Sequence, residues 1–332
     1  MIRELMKVSK SKVDVIGSVW SPPSWMKEKT PQNPSCGFLK YQYFQTYADY
    51  MYKFIESYEA EGIPIWAVTT GNQPFDANLP YPLINCLGWA TVDLGKWIVN
   101  NLGPTIRNSK HSNVKILAMD DQRYTIKLVF EPMVQNNSKV LDFIDGVAVH
   151  YYADDYVDPD VLSQVTYRYS KFVISTEAST GISGANKGVE LGSWDHGLKY
   201  AKDLIEDLTH EVVGWIDWNL FLNTKGGPSV DGNYIDSPII VDAKKEEFLK
   251  QPMFYILGQF SKFIPRGSQR IELEAQSCND LHYVAFLTPS NTIVAVICNQ
   301  GIARPTVLQI GNKELAIQLE EDSLTTVEFC NE

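Results

Sequence analysis

The residues able to break a bond sit where apolar runs end. Glu177 closes "VISTEAS" (173–179), an acidic side chain at the end of an otherwise apolar run. A carboxylate at the end of a buried strand must be hydrogen-bonded or functional. "AVTTGNQPF" (67–75) passes from an apolar run into Thr, Gly, Asn, Gln and Pro, as a strand does on leaving a core for a loop. Asp120 and Asp121 end "VKILAMDD" (114–121) and read as strand-end caps or as catalysts. His150 and Tyr152 end "IDGVAVHYY" (144–152), where His150 either orients a carboxylate or is a satisfied polar group. Retaining hydrolysis of a glycosidic bond needs two flanking carboxyls: one attacks the anomeric carbon, the other protonates the leaving oxygen and later deprotonates water. Glu177 is the nucleophile candidate for that chemistry. The Asn-Glu-Pro that many sugar-cleaving enzymes carry at such a strand end reads Asn72-Gln73-Pro74 here. Gln73 is either a loop amide or a proton-donor position filled by a group with no proton to give.

Six β-rich runs must place these residues: 13–20, 63–70, 114–121, 144–152, 171–178 and 212–219. Their near-continuous hydrophobicity predicts parallel strands buried on both faces. Helix patterns lie between several of them. In 44–62, Phe44, Tyr47, Met51, Phe54, Ile55 and Tyr58 share a face, and Gly62 stands at the C-terminal cap. In 193–211, Leu198, Ala201, Leu204, Ile205 and Leu208 form the stripe. Strand alternating with helix predicts an α/β fold. No Gly-rich phosphate loop follows the first strand, against a nucleotide-binding doubly wound sheet. Polar and aromatic groups (Trp20, Asn72, Gln73, Asp120, Asp121, His150, Tyr152, Glu177, Asp217 and Trp218) gather at strand ends, which predicts a (β/α)8 TIM barrel with its site on the C-terminal face. Trp20, Tyr152 and Trp218 form a sugar platform or belong to the core. After residue 265 the pattern becomes short strands at regular spacing, an antiparallel sandwich. The expected division is a barrel over 1–265 and a β-sandwich over 266–332.

Composition narrows the partners. A net charge of −11 over 332 residues leaves no basic stripe for nucleic acid, and no apolar run is long enough for a membrane span. Residues 1–15 read as an amphipathic helix feeding a strand, without the apolar core of a secretory signal. Five scattered cysteines form no C-x-x-C pair and fix no disulfide. One N-x-S sequon, Asn136-Asn137-Ser138, is faint support for secretory passage.

Taken in order, "WSPPSWMK" (20–27), "WAVTTGNQP" (66–74), "LAMDDQR" (117–123), "VAVHYY" (147–152), "STEAS" (175–179), "LGSWDHG" (191–197), "VVGWIDWNL" (212–220), "DSPIIVD" (236–242) and "QPMFYILGQFSKFIPRGSQR" (251–270) resemble the acid β-glucosidases (glucosylceramidases) of glycoside hydrolase family 30. The resemblance covers essentially the whole chain. It implies that Glu177 is the nucleophile on the seventh barrel strand and that Gln73 fills the acid/base position on the fourth, where the family has Glu. Asn72 corresponds to the amide that bonds the sugar 2-hydroxyl, Tyr152 lies by the nucleophile, and Trp20, Trp218 and Asn233 surround the glucose, with Asp217 beside Trp218. It further implies retaining hydrolysis of glucosylceramide in the lysosome without metal or other cofactor, aided by a saposin-type activator and an anionic lipid surface. Six strands rather than eight imply that the family's first two barrel strands are absent. Gln73 implies impaired catalysis, or a catalytically silent glycolipid-binding homologue. Gln73 and Glu177 are expected to face each other at the spacing of retaining enzymes, roughly 5 to 5.5 Å.

Overall fold

The computed structural model describes residues 1–29, 36–78, 84–182, 187–229, 232–275 and 280–330. The six apolar runs form one sheet whose neighbouring strands all pair parallel. In spatial order they are β1 (Val15–Gly17), β2 (Ile65–Thr69), β3 (Lys115–Gln122), β4 (Gly146–His150), β5 (Phe172–Glu177) and β6 (Val212–Trp215). Strands buried on both faces need no polar alternation, and β4 is buried at every position. The sheet is a curled half-barrel, with β1 and β6 as its two ends among the described residues.

Two runs are longer in sequence than as strands, for one physical reason. Past Gly17 the chain leaves the ladder: Ser18 sends its hydroxyl to Asp120, and the Val19 carbonyl accepts the Asn72 N–H at 2.9 Å. Past Trp215, Asp217 turns back to accept the Asn219 N–H at 2.9 Å. Polar residues at strand ends bond across loops instead of extending the ladder.

The chain divides into two compact units, Met1–Glu177 with Val212–Ile216, and Ala178–Glu211 with Asp217–Glu332. In the first, helix α1 (Phe44–Ala60) buries Phe44, Tyr47, Met51 and Ile55 as its spacing predicts, and Gly62 follows it at φ +74°, the left-handed cap that glycine adopts without strain. Much of the aromatic content goes into this core. Trp97 stacks on Tyr47 at 5.1 Å and on Trp89 at 4.9 Å, all three buried, and donates its indole N–H to the Phe44 carbonyl. The N-terminal helix Ile2–Val8 forms as expected but buries none of its residues.

The second unit holds a three-stranded sheet of β7 (Phe221–Asn223), β8 (Ile239–Asp242) and β9 (Glu247–Lys250). It also holds an antiparallel sheet of β10 (Gln269–Ile271), β11 (Leu281–Leu287), β12 (Thr292–Asn299) and β15 (Ser323–Cys330), and the hairpin of β13 (Arg304–Ile310) and β14 (Lys313–Leu319). Helices α2 (Trp194–Thr209) and α3 (Pro252–Phe263) complete it. Among the described residues no helix is long and apolar enough to cross a membrane.

The sequence left the cysteines unpaired; the structure pairs two of them. Strands Gly37–Leu39 and Leu87–Gly88 run parallel with Gly37 opposite Leu87, which brings Cys36 and Cys86, each one residue earlier, to a Cα separation of 4.6 Å in a disulfide. Cys298 and Cys330 are free thiols, and Cys278 lies outside the described residues. The bond closes a loop between residues 50 apart, so it removes much unfolded-state entropy. Cys86→Ser should therefore lower the stability of the first unit by about 2–4 kcal/mol, read as an earlier urea midpoint in tryptophan fluorescence. Identical midpoints with and without reductant would show that the bond does not form in solution.

Candidate active site

At the C-terminal ends of the parallel strands, side chains leave the ladder and meet over one buried carboxylate. A bulge in β3 between Met119 and Asp121 puts Met119 at φ +73° and Asp120 at φ +85°, a region that non-glycine residues avoid at a cost of about 1–3 kcal/mol each. What holds the bulge is the set of bonds it makes. Asp120 Oδ2 accepts the Ser18 hydroxyl at 2.5 Å, Oδ1 accepts Thr176 Oγ1 at 2.6 Å and lies 3.0 Å from His150 Nε2, and the Asp120 carbonyl accepts the Gln73 N–H at 2.8 Å. Burial alone would push this carboxyl upward, but His150, Ser18 and Thr176 outweigh it and hold Asp120 below the usual carboxylate range. His150 answers in kind. Burial disfavours its charge, yet Asp120, Glu177 and Asp121 together raise it above the ordinary imidazole value. The reading of His150 as an orienting group for a carboxylate fits this geometry, and that of Asp120 as a mere strand-end cap does not.

Glu177, 7% exposed, ends β5 on the other side of that imidazole, its Oε1 4.0 Å from His150 Nδ1 and accepting the Tyr152 hydroxyl at 2.8 Å. Burial raises its carboxyl, while His150 and Tyr152 pull it back and Asp120 and Asp76 push it up further. Glu177 is thus a buried carboxyl with one hydroxyl donor and an imidazole whose charged form its neighbours favour. Gln73 adopts φ +43° in the turn after β2 and donates from Nε2 to Asp76 Oδ2 at 3.1 Å. Asn72 is 2% exposed, and its Nδ2 has no partner among the described residues. A buried amide N–H without a protein partner is a vacant donor for a ligand oxygen. Trp20 is half-buried, shortly past the end of β1.

The other expected site residues fall in the second unit. Asp217 is half-buried there and pushed up to about 7 by burial, against hydrogen bonds from Asn219 and Tyr200. Trp218 is 41% exposed with its N–H on the Ala178 carbonyl, and Asn233 is exposed.

Sequence reasoning missed the role of Asp76, which follows Gln73 by three residues, and the contributions of Ser18 and Thr176. Asp121, fully buried, accepts the Phe75 N–H at 2.9 Å and the Gln122 N–H at 2.7 Å, yet burial pushes it up to about 7.

Comparison with known proteins identifies the lineage. Residues 1–264 match the glycosyl hydrolase family 30 TIM-barrel domain, and residues 267–327 match the glycosyl hydrolase family 30 beta sandwich domain. The chain belongs to glycosyl hydrolase family 30. This family 30 chain is 39% identical over 307 residues, 91% of its length, to the lysosomal acid glucosylceramidase of Mus musculus, and spans 59% of that protein. It is 26% identical over 315 residues, 89% of its length, to endo-1,6-beta-D-glucanase BGN16.3 of Trichoderma harzianum, again spanning 59% of the relative. Among solved structures, SrfJ from Salmonella typhimurium superposes with a TM-score of 0.89 at 23% identity over 100% of this chain and 72% of its own, which shows the shared fold.

The charges of the site set a pH dependence whose sign is fixed. Asp121, raised from 3.8 to about 7, holds more protons folded than unfolded across that interval, so stability falls as pH rises through it. His150, raised, adds stability below the ordinary imidazole value that is lost as pH climbs past its folded value. Asp120, lowered, costs stability only once pH drops below the ordinary carboxylate range. The first unit should accordingly be more stable at pH 5 than at pH 7.5, by about 1–3 kcal/mol. Asp121→Asn should flatten that slope in chemical denaturation at the two pH values, whatever it does to absolute stability. An unchanged slope would remove Asp121 as its source.

Proposed function

We propose that this chain carries the catalytic apparatus of a retaining β-glucosidase of glucosylceramidase type, with Glu177 as nucleophile and Gln73 at the acid/base position. The observation that carries the reading is the environment of Glu177: a buried carboxylate ending a barrel strand, hydrogen-bonded by Tyr152 and backed by His150. In double displacement Glu177 attacks the anomeric carbon and forms a glycosyl ester, which water then cleaves. Asn72, whose Nδ2 is a vacant donor, takes the sugar 2-hydroxyl, and Trp20, Tyr152, Asp217, Trp218 and Asn233 surround the glucose. Glucosylceramide is the preferred substrate on the strength of 39% identity to the mouse glucosylceramidase against 26% to the fungal glucanase. A lysosomal location, a saposin-type activator and an anionic lipid surface belong to the same reading. The Cys36–Cys86 disulfide supports passage through an oxidising compartment. The expected domains are the barrel over 1–265 and the sandwich over 266–332.

The second reading, a silent glycolipid-binding homologue, is favoured by one residue: the Gln73 amide cannot exchange the proton that general acid–base catalysis moves. The two readings separate at Glu177. A 2-fluoro β-glucoside with a dinitrophenolate leaving group needs no acid, so mass spectrometry should find its label on the Glu177 peptide; a label elsewhere on folded protein would overturn the nucleophile, and none at all would favour the binder.

Leaving groups of high pKa should suffer most from the amide. Gln73→Glu should raise turnover of glucosylceramide, by at most the about 10²- to 10⁴-fold that such catalysis supplies, and leave the dinitrophenyl substrate's glycosylation step nearly unchanged. Assay of β-1,6-glucan beside glucosylceramide tests the substrate: faster release from the glucan would reassign it.

A further inference from the structure

We propose that Asp76 takes over part of the proton transfer that Gln73 cannot perform, with Gln73 acting as the positioning residue for its carboxyl. The proposal rests on Glu177 being the nucleophile. The turn that presents these residues is fixed at several points. Gln73 gives its N–H to the Asp120 carbonyl, Phe75 gives its N–H to Asp121, and Asp76 gives its N–H to the Gln73 carbonyl at 3.1 Å. Residues Pro74–Asn78 form a 3₁₀ helix that Gln73 precedes. Gln73 itself stands outside that helix at φ +43°, and its amide reaches forward to donate to Asp76 Oδ2 at 3.1 Å.

The remaining features of Asp76 suit an acid better than a cap. A side chain that caps a helix accepts a free backbone N–H of its first turn. Asp76 accepts none among the described residues, and its Oδ1 has no partner there. The group is half-buried, and burial raises its carboxyl against the pull of His150 and of the Gln73 amide, toward the protonated form that a general acid needs. It shares electrostatic surroundings with the nucleophile: its charge raises Glu177 and Asp121, and His150 acts on both Asp76 and Glu177.

The step balances without any further reactant. As a Glu177 oxygen bonds to the anomeric carbon and the bond to the leaving oxygen breaks, the Asp76 O–H proton passes to that oxygen and the alcohol departs. In the second half, the Asp76 carboxylate takes a proton from water as the water oxygen attacks the anomeric carbon and the ester bond to Glu177 breaks. Asp76 ends protonated, Glu177 ends as a carboxylate, and one water has been consumed.

The test compares the full chain with Asp76→Asn and Asp76→Ala, with every rate expressed per active site titrated by the fluorosugar label on Glu177. Hydrolysis of glucosylceramide should fall at least about 10-fold in both variants, toward the lower limit of what an acid–base group supplies. The initial burst of dinitrophenolate should persist, and azide, a nucleophile needing no base, should speed steady-state turnover of the variants severalfold with formation of β-glucosyl azide. The parent should respond to azide less than the variants do. Equal azide responses with unchanged hydrolysis would overturn the assignment of Asp76 and leave Glu177 standing. Variants with no titratable sites beside a titratable parent would make Asp76 structural, which also overturns it. A parent that takes no label would remove the nucleophile and this inference with it.

Discussion

The site hangs on one buried carboxylate. Asp120 collects Ser18 from beyond β1, Gln73 from beyond β2, His150 from β4 and Thr176 from β5, while itself sitting on β3. One residue therefore ties the exits of five of the six parallel strands. The strained φ of Met119 and Asp120 is what turns both the side chain and the carbonyl of Asp120 toward those partners. A charge buried without partners would cost several kcal/mol, so the network is bound to be complete or to fail. Removing one donor leaves the others holding an under-satisfied anion, and a neutralised Asp120 would no longer raise His150 beside Glu177.

That dependence explains how Glu177 keeps its place among so many other acids. Glu177, Asp120, Asp121 and Asp76 act on a single imidazole or on one another. Four ionised carboxylates this close would repel strongly in a partly dry environment. Burial resolves the conflict unevenly. Asp120 keeps its charge because three donors point at it, whereas Asp121 and Asp76 are driven toward the protonated state. Glu177 lies between, raised by burial but retaining Tyr152 as a hydrogen-bond donor and His150 as an electrostatic neighbour. Environments that push apart the ionisation of neighbouring carboxyls are how acid and base roles become separated.

The strands were legible because burial on both faces writes itself as continuous apolar runs, and β2 to β5 begin and end within a few residues of where those runs do. The stripe of α1 was legible because its period matches the core it faces. Short elements were not: the strands Lys27–Lys29, Gly37–Leu39 and Leu87–Gly88 hold too few residues to show a period, and the pairing of Cys36 with Cys86 follows from their register alone. Within the site, Glu177, His150 and Tyr152 announced themselves as polar residues closing apolar runs. Asp76 did not, because it follows an apolar run into a turn where acidic residues are ordinary, and only the fold brings its carboxyl to the Gln73 amide. Asp120 was visible as a residue but not as a hub, since its partners lie 30 to 102 positions away or reach it through backbone atoms.

Gln73 and Asp76 are best understood as a matched pair. An amide Nε2 donates to a carboxylate at 3.1 Å, whereas a carboxylate at position 73 would face Asp76 with like charge across the same short gap. Two carboxyls at that distance share a proton, and one of them is raised strongly. In a chain with Glu at 73, the two carboxyls would thus compete for one proton; with Gln at 73, the only titrating group in the turn is Asp76. An amide at position 73 is therefore what lets an unshared carboxyl stand three residues later. The two residues constrain each other, and the properties of either must be measured with the other in place.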